Sequence, residues 1–192
     1  MKSDGFILTA ALIASFLLYG CVPLENARTA NGKSFVPEKL EIRNNAASLL
    51  YDLLGQEKNV GKILIIKRNS EELGRLIKAI AEAARDAEKQ LERLAEKDLN
   101  LNLRAVQLPP GEKLAREAVA KTKEHELLFS SGKEFEFNLL LTQAEALSYG
   151  WHLAKIAAEN SSSPEEVQSF SGMSLGMENL YGQVIRKMQQ DK

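Results

Sequence analysis

The chain has 192 residues, 44% hydrophobic and 27% charged, and its 25 basic and 26 acidic side chains leave a formal net charge of −1. That mix excludes a disordered chain, and near-neutral, interspersed charge lacks the basic footprint of a nucleic-acid binder. The single cysteine excludes a disulfide within the chain, and a body of about 155 residues buries enough surface to fold without one.

Met1 and Lys2 precede an uncharged run of 13 residues, Phe6 to Leu18, which has the length of a secretory h-region. An uncleaved transmembrane anchor, the alternative, needs about 20 apolar residues. The run ends in Leu18-Tyr19-Gly20-Cys21, which holds the only cysteine. This segment resembles the lipobox of bacterial lipoproteins, in which a branched apolar residue stands three before the cysteine and a small one directly before it. Tyr19 is bulkier than the usual occupant of its place, and Asp4 offsets the one basic residue of the n-region. The resemblance implies cleavage after Gly20 and acylation of Cys21, which then anchors the chain to membrane lipid. Several acyl chains on one terminus hold stably where a single one does not. Lys2 and Asp4 leave together, so the mature net charge is unchanged. Val22 stands where some envelopes read an acidic residue as an inner-membrane retention signal, which favours the outer membrane where one exists.

Residues 22–36 have no helical period and contain Pro23, Asn31 and Gly32, so they read as a flexible tether reaching roughly 20 Å. From residue 37 to 192 the pattern is helical almost throughout and predicts one bundle domain. Pro37 suits a first helical position, and Leu40, Ala47, Leu50 and Leu54 share one side of a helix running to Gly55. Gly55 and Gly61 bracket a break. The run Ile63-Leu64-Ile65-Ile66 fits a strand as well as a buried helix, and no partner strand is visible; helix or irregular packing is favoured.

The clearest element spans residues 70–97. Asn69 and Ser70 supply an N-cap, and Glu72, three residues after Asn69, a capping box. Leu73, Ile77, Ile80, Ala84, Ala87, Leu91 and Leu94 then recur at steps of three and four, the seam of a left-handed bundle. Glu82, Arg85, Glu88, Lys89, Glu92 and Arg93 are expected on the solvated face. Pro109-Pro110-Gly111 leads into a helix over 112–129, Ser130-Ser131-Gly132 is a short turn, and a long helix covers 133–159. Ser163, Pro164 and Glu166 make a start signal of cap, first-turn proline and closing acid for a last helix to residue 189. Gly172, Gly176 and Gly182 weaken it. Short connections imply antiparallel neighbours, so the expected fold is all-α, an up-and-down bundle of four or five helices.

Bundles of this kind often host di-iron sites built from Glu-x-x-His pairs. Here Thr122 and Tyr149 stand three before His125 and His152, so neither makes the motif; a mononuclear site with Glu124, Glu126 or Glu145 is left open. The segment from Leu127 to Glu136, followed by a long amphipathic helix, resembles the second half of a ferritin-like domain of exported bacterial proteins. In that domain a Ser-Gly-x-x-Phe-Asp turn opens the third helix and histidines follow. Glu136 replaces the aspartate, and Leu147 and Tyr181 fall where the histidines would be. The resemblance supports the fold and argues against the metal. Met173, Met177 and Met188 are expected as core fillers, with Cu(I) binding as the sharper alternative. Gly172-x-x-x-Gly176 permits close helix contact. Phe135, Phe137, Tyr149 and Trp151 crowd one helix and either pack or line an apolar pocket.

With no metal, cofactor or catalytic residue assigned, the expected function is non-enzymatic. It is that of a lipid-anchored protein of the bacterial cell envelope, whose helical surface meets a protein partner or stabilises an assembly. The alternatives are a ferritin-like metal binder or oxidase with an irregular site, and a carrier of an apolar ligand.

Overall fold

The structure, a computed structural model, describes residues 38–106 and 108–190. The leader, the Leu18–Cys21 segment, the tether and Pro37 lie outside the described residues. Five long helices run up and down: α1 Glu38–Glu57, α3 Glu71–Lys97, α4 Pro110–Phe129, α5 Gly132–Glu159 and α6 Pro164–Gln190. A 3-10 turn, Val60–Lys62, and a single helical turn, α2 Ile63–Ile66, join α1 to α3. There is no strand among the described residues.

Four of the five long helices form the bundle. The contacts close a ring in the order α1, α3, α6, α5, with α5–α6 the most extensive seam and α3–α6 the least. The seven seam residues of α3 expected from periodicity are all buried. Leu50 and Leu54 of α1, Leu139, Leu140 and Ala154 of α5 and Phe170 and Val184 of α6 complete the core. α4 lies outside, against α5, and buries only Leu127.

One buried cation ties three of the four bundle helices together at one pole. Arg43, near the start of α1, is 5% exposed. Its Nη1 donates to Asp98 Oδ2 at 2.9 Å and to Glu166 Oε2 at 2.9 Å. Asp98 caps the end of α3 and Glu166 lies in the first turn of α6. At this pole α1 and α6 therefore begin while α3 and α5 end, so each helix is antiparallel to both neighbours in the ring. Burial pushes the Asp98 carboxyl up, but the Asn100 N–H and Arg43 outweigh it and hold it below its ordinary value.

Several local expectations are corrected. The Ile63–Ile66 run is helical, as favoured, but it is a single turn that is not buried: Ile65 and Ile66 are 83% and 58% exposed, and the backbone turns extended at Lys67. Ser70, not Asn69, caps α3: its Oγ accepts from Leu73 N–H at 3.4 Å. Glu72 does not close the box; Glu136 of α5 takes the Ser70 N–H at 2.6 Å, and Glu72 pairs with Lys187. Glu166 likewise serves Arg43 rather than its own helix start. Glu88, expected in solvent, is 7% exposed and pairs with Lys58 at 2.6 Å, since it stands four residues after Ala84 on the inward side. Gly132, at φ +56°, makes the turn before α5 as the sequence suggested.

Removing one partner of a buried ion pair strands the other, at about 3–5 kcal/mol. Arg43→Ala is therefore expected to lower Tm by about 10 °C in a thermal melt followed by circular dichroism, on a size scaling of about 2–4 °C per kcal/mol. Arg43→Met with Glu166→Leu recovers most of the loss. A melt unchanged by Arg43→Ala would contradict the clasp.

Candidate functional site

The α3–α6 seam is pinned at its two ends and open in its middle. At one end Lys97 pairs with Glu165 at 2.5 Å; at the other Lys187 pairs with Glu72 at 3.0 Å. Between these pins α3 offers Ala83, Ala84 and Ala87, and α6 offers Gly172 and Gly176. Side chains this short cannot fill the space between two helix axes, and a slot of about 230 Å3 results. Its inner wall is Leu53, Leu54, Leu147, Met173 and Met177, and Ala83, Asp86, Gly172 and Gly176 stand exposed at its mouth.

The glycines show that the opening is not forced by packing. A Cβ added at Gly172 or Gly176 would meet nothing within 4 Å. At Gly150 a Cβ would stand 2.7 Å from Met177 Sδ and 2.9 Å from Leu53 Cδ2, so that glycine is required by close packing of α5. Each glycine inside a helix costs about 1 kcal/mol relative to alanine. α6 thus carries two helix-weakening residues at the rim of the slot, where a side chain would meet no neighbour.

One carboxyl belongs to this apolar wall. Glu57, in the last turn of α1, is 7% exposed, and its Oε2 has no hydrogen-bond partner. Burial raises its pKa from 4.5 to about 7, opposed in part by the neighbouring Gln143 amide. Gln143 is fully buried, and neither of its amide atoms reaches a partner in good geometry. Most buried polar groups are paired, so this cluster on two facing helices stands out. The nearby Lys58 does not serve it: its ammonium is held by both oxygens of Glu88, at 2.7 and 2.6 Å.

The residues singled out from sequence for metal or ligand chemistry do not converge. His125 is exposed beside Phe129, with ring centroids 4.3 Å apart. His152 is exposed, its Nδ1 2.7 Å from the Ser148 carbonyl and its Nε2 accepting from Trp151 Nε1 at 3.1 Å. Glu145 pairs with Lys123 at 2.8 Å. Among the described residues no three His, Cys, Asp or Glu side chains group as metal ligands. Leu147 lines the slot, and Tyr181 meets the Trp151 ring edge-on at 5.0 Å. The aromatics of α5 share no pocket: Phe135 is buried in the core, Phe137 is 50% exposed and Tyr149 borders a separate polar crevice beside α4. Met173 and Met177 are buried in the slot wall. No described helix is long and apolar enough to cross a membrane.

Sequence reading missed Glu57, although a signal was present: it stands three after Leu54 and four after Leu53, an acid on the apolar stripe of α1. Comparison with protein-family models, curated proteins and solved structures found no match.

A carboxyl whose pKa rises on folding binds more protons folded than unfolded, so its contribution is intact below pH 4.5 and lost as pH rises to about 7. The loss is on the order of 3 kcal/mol. Glu57→Gln is therefore expected to match the wild type in stability near pH 4.5 and exceed it at pH 8, as urea titrations at the two pH values would read. Equal differences at both pH values would show that the Glu57 pKa does not rise on folding.

Proposed function

We propose that this chain is a non-enzymatic, membrane-tethered envelope protein whose helical bundle receives a small apolar ligand in the slot between α3 and α6. The observation that carries the reading is the slot itself, an apolar volume of about 230 Å3 rimmed by Gly172 and Gly176. Its volume exceeds the roughly 150 Å3 of an engineered apolar cavity that stays dry and binds benzene. The tether rests on the Leu18–Cys21 resemblance and places the domain near the exported face of a bacterial membrane, held through acylated Cys21. Of the three functions weighed from sequence, the apolar-ligand carrier gains most from this geometry, though not through the aromatic helix first suspected.

A second reading, docking of a protein partner, is favoured by the pole opposite Arg43. There Lys67 Nζ donates to the carbonyls of Leu128 and Ser130 at 2.5 and 2.9 Å, which brings the two connections together. Ile65, Ile66 and Phe129 remain 83%, 58% and 76% exposed there, beyond the scattered exposure usual for apolar residues.

Two outcomes test the proposal. Cys21→Ser is expected to move the chain from the membrane to the soluble fraction of fractionated cells; retention on the membrane would remove the anchor. Toluene at about a hundredfold over its Kd is expected to raise Tm by about 5 °C or more in the wild type. Gly176→Leu, which fills the slot, should melt higher unliganded and not respond to toluene. A wild-type melt that toluene leaves unmoved would remove the ligand reading.

A further inference from the structure

Resting on the slot reading above, we propose that the slot is selective for a small neutral molecule with one hydroxyl head, which Glu57 holds by hydrogen bonding while the apolar body lies along the Gly172–Gly176 face of α6. The inference stands on two independent observations: an open apolar slot, and a nine-tenths buried carboxyl in its wall whose Oε2 has no hydrogen-bond partner in good geometry, the Gln143 amide being its one polar neighbour. An unpartnered buried acceptor is a persistent penalty to the empty protein, and a ligand that satisfies it gains what the fold lacks.

The chemistry of the walls narrows the head group. α5 and α6 contribute only Ala146, Leu147, Gly172, Met173, Gly176, Met177 and Leu180, none of them charged. α3 contributes Asp86 at the mouth and the amide of Gln90, and α1 contributes Glu57. Glu88 and Lys58, the nearest ion pair, satisfy each other. A carboxylate ligand would meet Glu57 and Asp86 with no cation in the lining to receive it. An ammonium ligand would have to shed its hydration to pass Asp86 and reach Glu57 among apolar side chains, and a buried ion pair seldom returns that loss. A hydroxyl carries neither penalty and can both donate to and accept from a carboxyl group. Selection by one buried polar group is strong because the site is left unpaired by an analogue that lacks the head. The slot volume suits a single ring or a chain of similar bulk.

Phenol, toluene and benzylamine share one ring and differ in the head, so they separate these cases. Each is titrated calorimetrically at pH 6 into the full-length chain carrying Cys21→Ser, prepared without detergent so that no acyl chain competes. Glu57→Leu, Glu57→Gln and Gly176→Leu are titrated in the same background. Glu57→Leu is expected to weaken phenol about tenfold, the value of one buried hydrogen bond, and to leave toluene within about twofold. Glu57→Gln, which keeps a polar head partner, should retain phenol within about threefold. Gly176→Leu should abolish binding of both.

Equal phenol affinity in the wild type and Glu57→Leu, or benzylamine binding tighter than phenol, would overturn the hydroxyl selectivity and leave the slot reading standing. Toluene or phenol bound undiminished by Gly176→Leu would overturn both, because the ligand would then sit elsewhere. Failure of all three probes to bind the wild type would also overturn both.

Discussion

A guanidinium with 5% exposure holds the starts of two helices and the end of a third. Arg43 is the point on which the rest of the bundle depends, because the α3–α6 seam has too little bulk to register itself. Alanine facing glycine yields few dispersion contacts along the middle of that seam. The relative height of α3 and α6 is set instead by charge at the ends: Arg43 and the Lys97–Glu165 pair at one pole, and Lys187–Glu72 at the other. The exposed pairs add little energy by themselves. Arg43 and Glu166 differ because both are buried and neither has water to fall back on.

Pinning at the ends and emptiness in the middle are two sides of one arrangement. A seam zipped by leucines throughout would need no clasp and would leave no slot. The bundle gives up helix propensity at Gly172 and Gly176, packing at Ala83, Ala84 and Ala87, and hydrogen bonding at Glu57 and Gln143, all on the walls of one volume or beside it. Scattered flaws of this kind read as neutral drift. Their convergence reads as a site, since local departures from stability rules concentrate where function requires them. Behind that volume the packing is tight: at Gly150 a single methyl would collide with Met177 and Leu53, two residues of its inner wall.

The opposite pole is knit by charges that bond to backbone rather than to each other. Glu136 takes the free N–H at the start of α3, and Lys67 satisfies two carbonyls at the end of α4. Helix ends leave such groups without intrahelical partners, so one side chain from each connection completes the other. This interlock lets α4 turn back into α5 although it buries little of its own surface. The described residues thereby form a four-helix ring with a fifth long helix lying outside it, which the count of helices alone does not reveal.

What the sequence determined by itself was everything governed by local spacing. The heptad-like stripe from Leu73 to Leu94, the Pro164 start of α6, the turn at Gly132 and the all-α class follow from period, caps and turn chemistry, which act within a few residues. Tertiary structure decided which caps are completed by their own helix and which by another, because Glu72 and Glu136 are equally good acids and only the fold places one at Ser70. It also decided that Glu57 and Glu88 are inside. Their positions on the stripes were legible, but an acid at such a position is buried only if the neighbouring helix covers it. The slot is the least legible feature of all, since small residues on one helix signal close approach just as readily as a gap. Whether alanines opposite glycines close together or stand apart depends on the end contacts that set the spacing. Those contacts join residues as far apart in the chain as Arg43 and Glu166, beyond the reach of any local pattern.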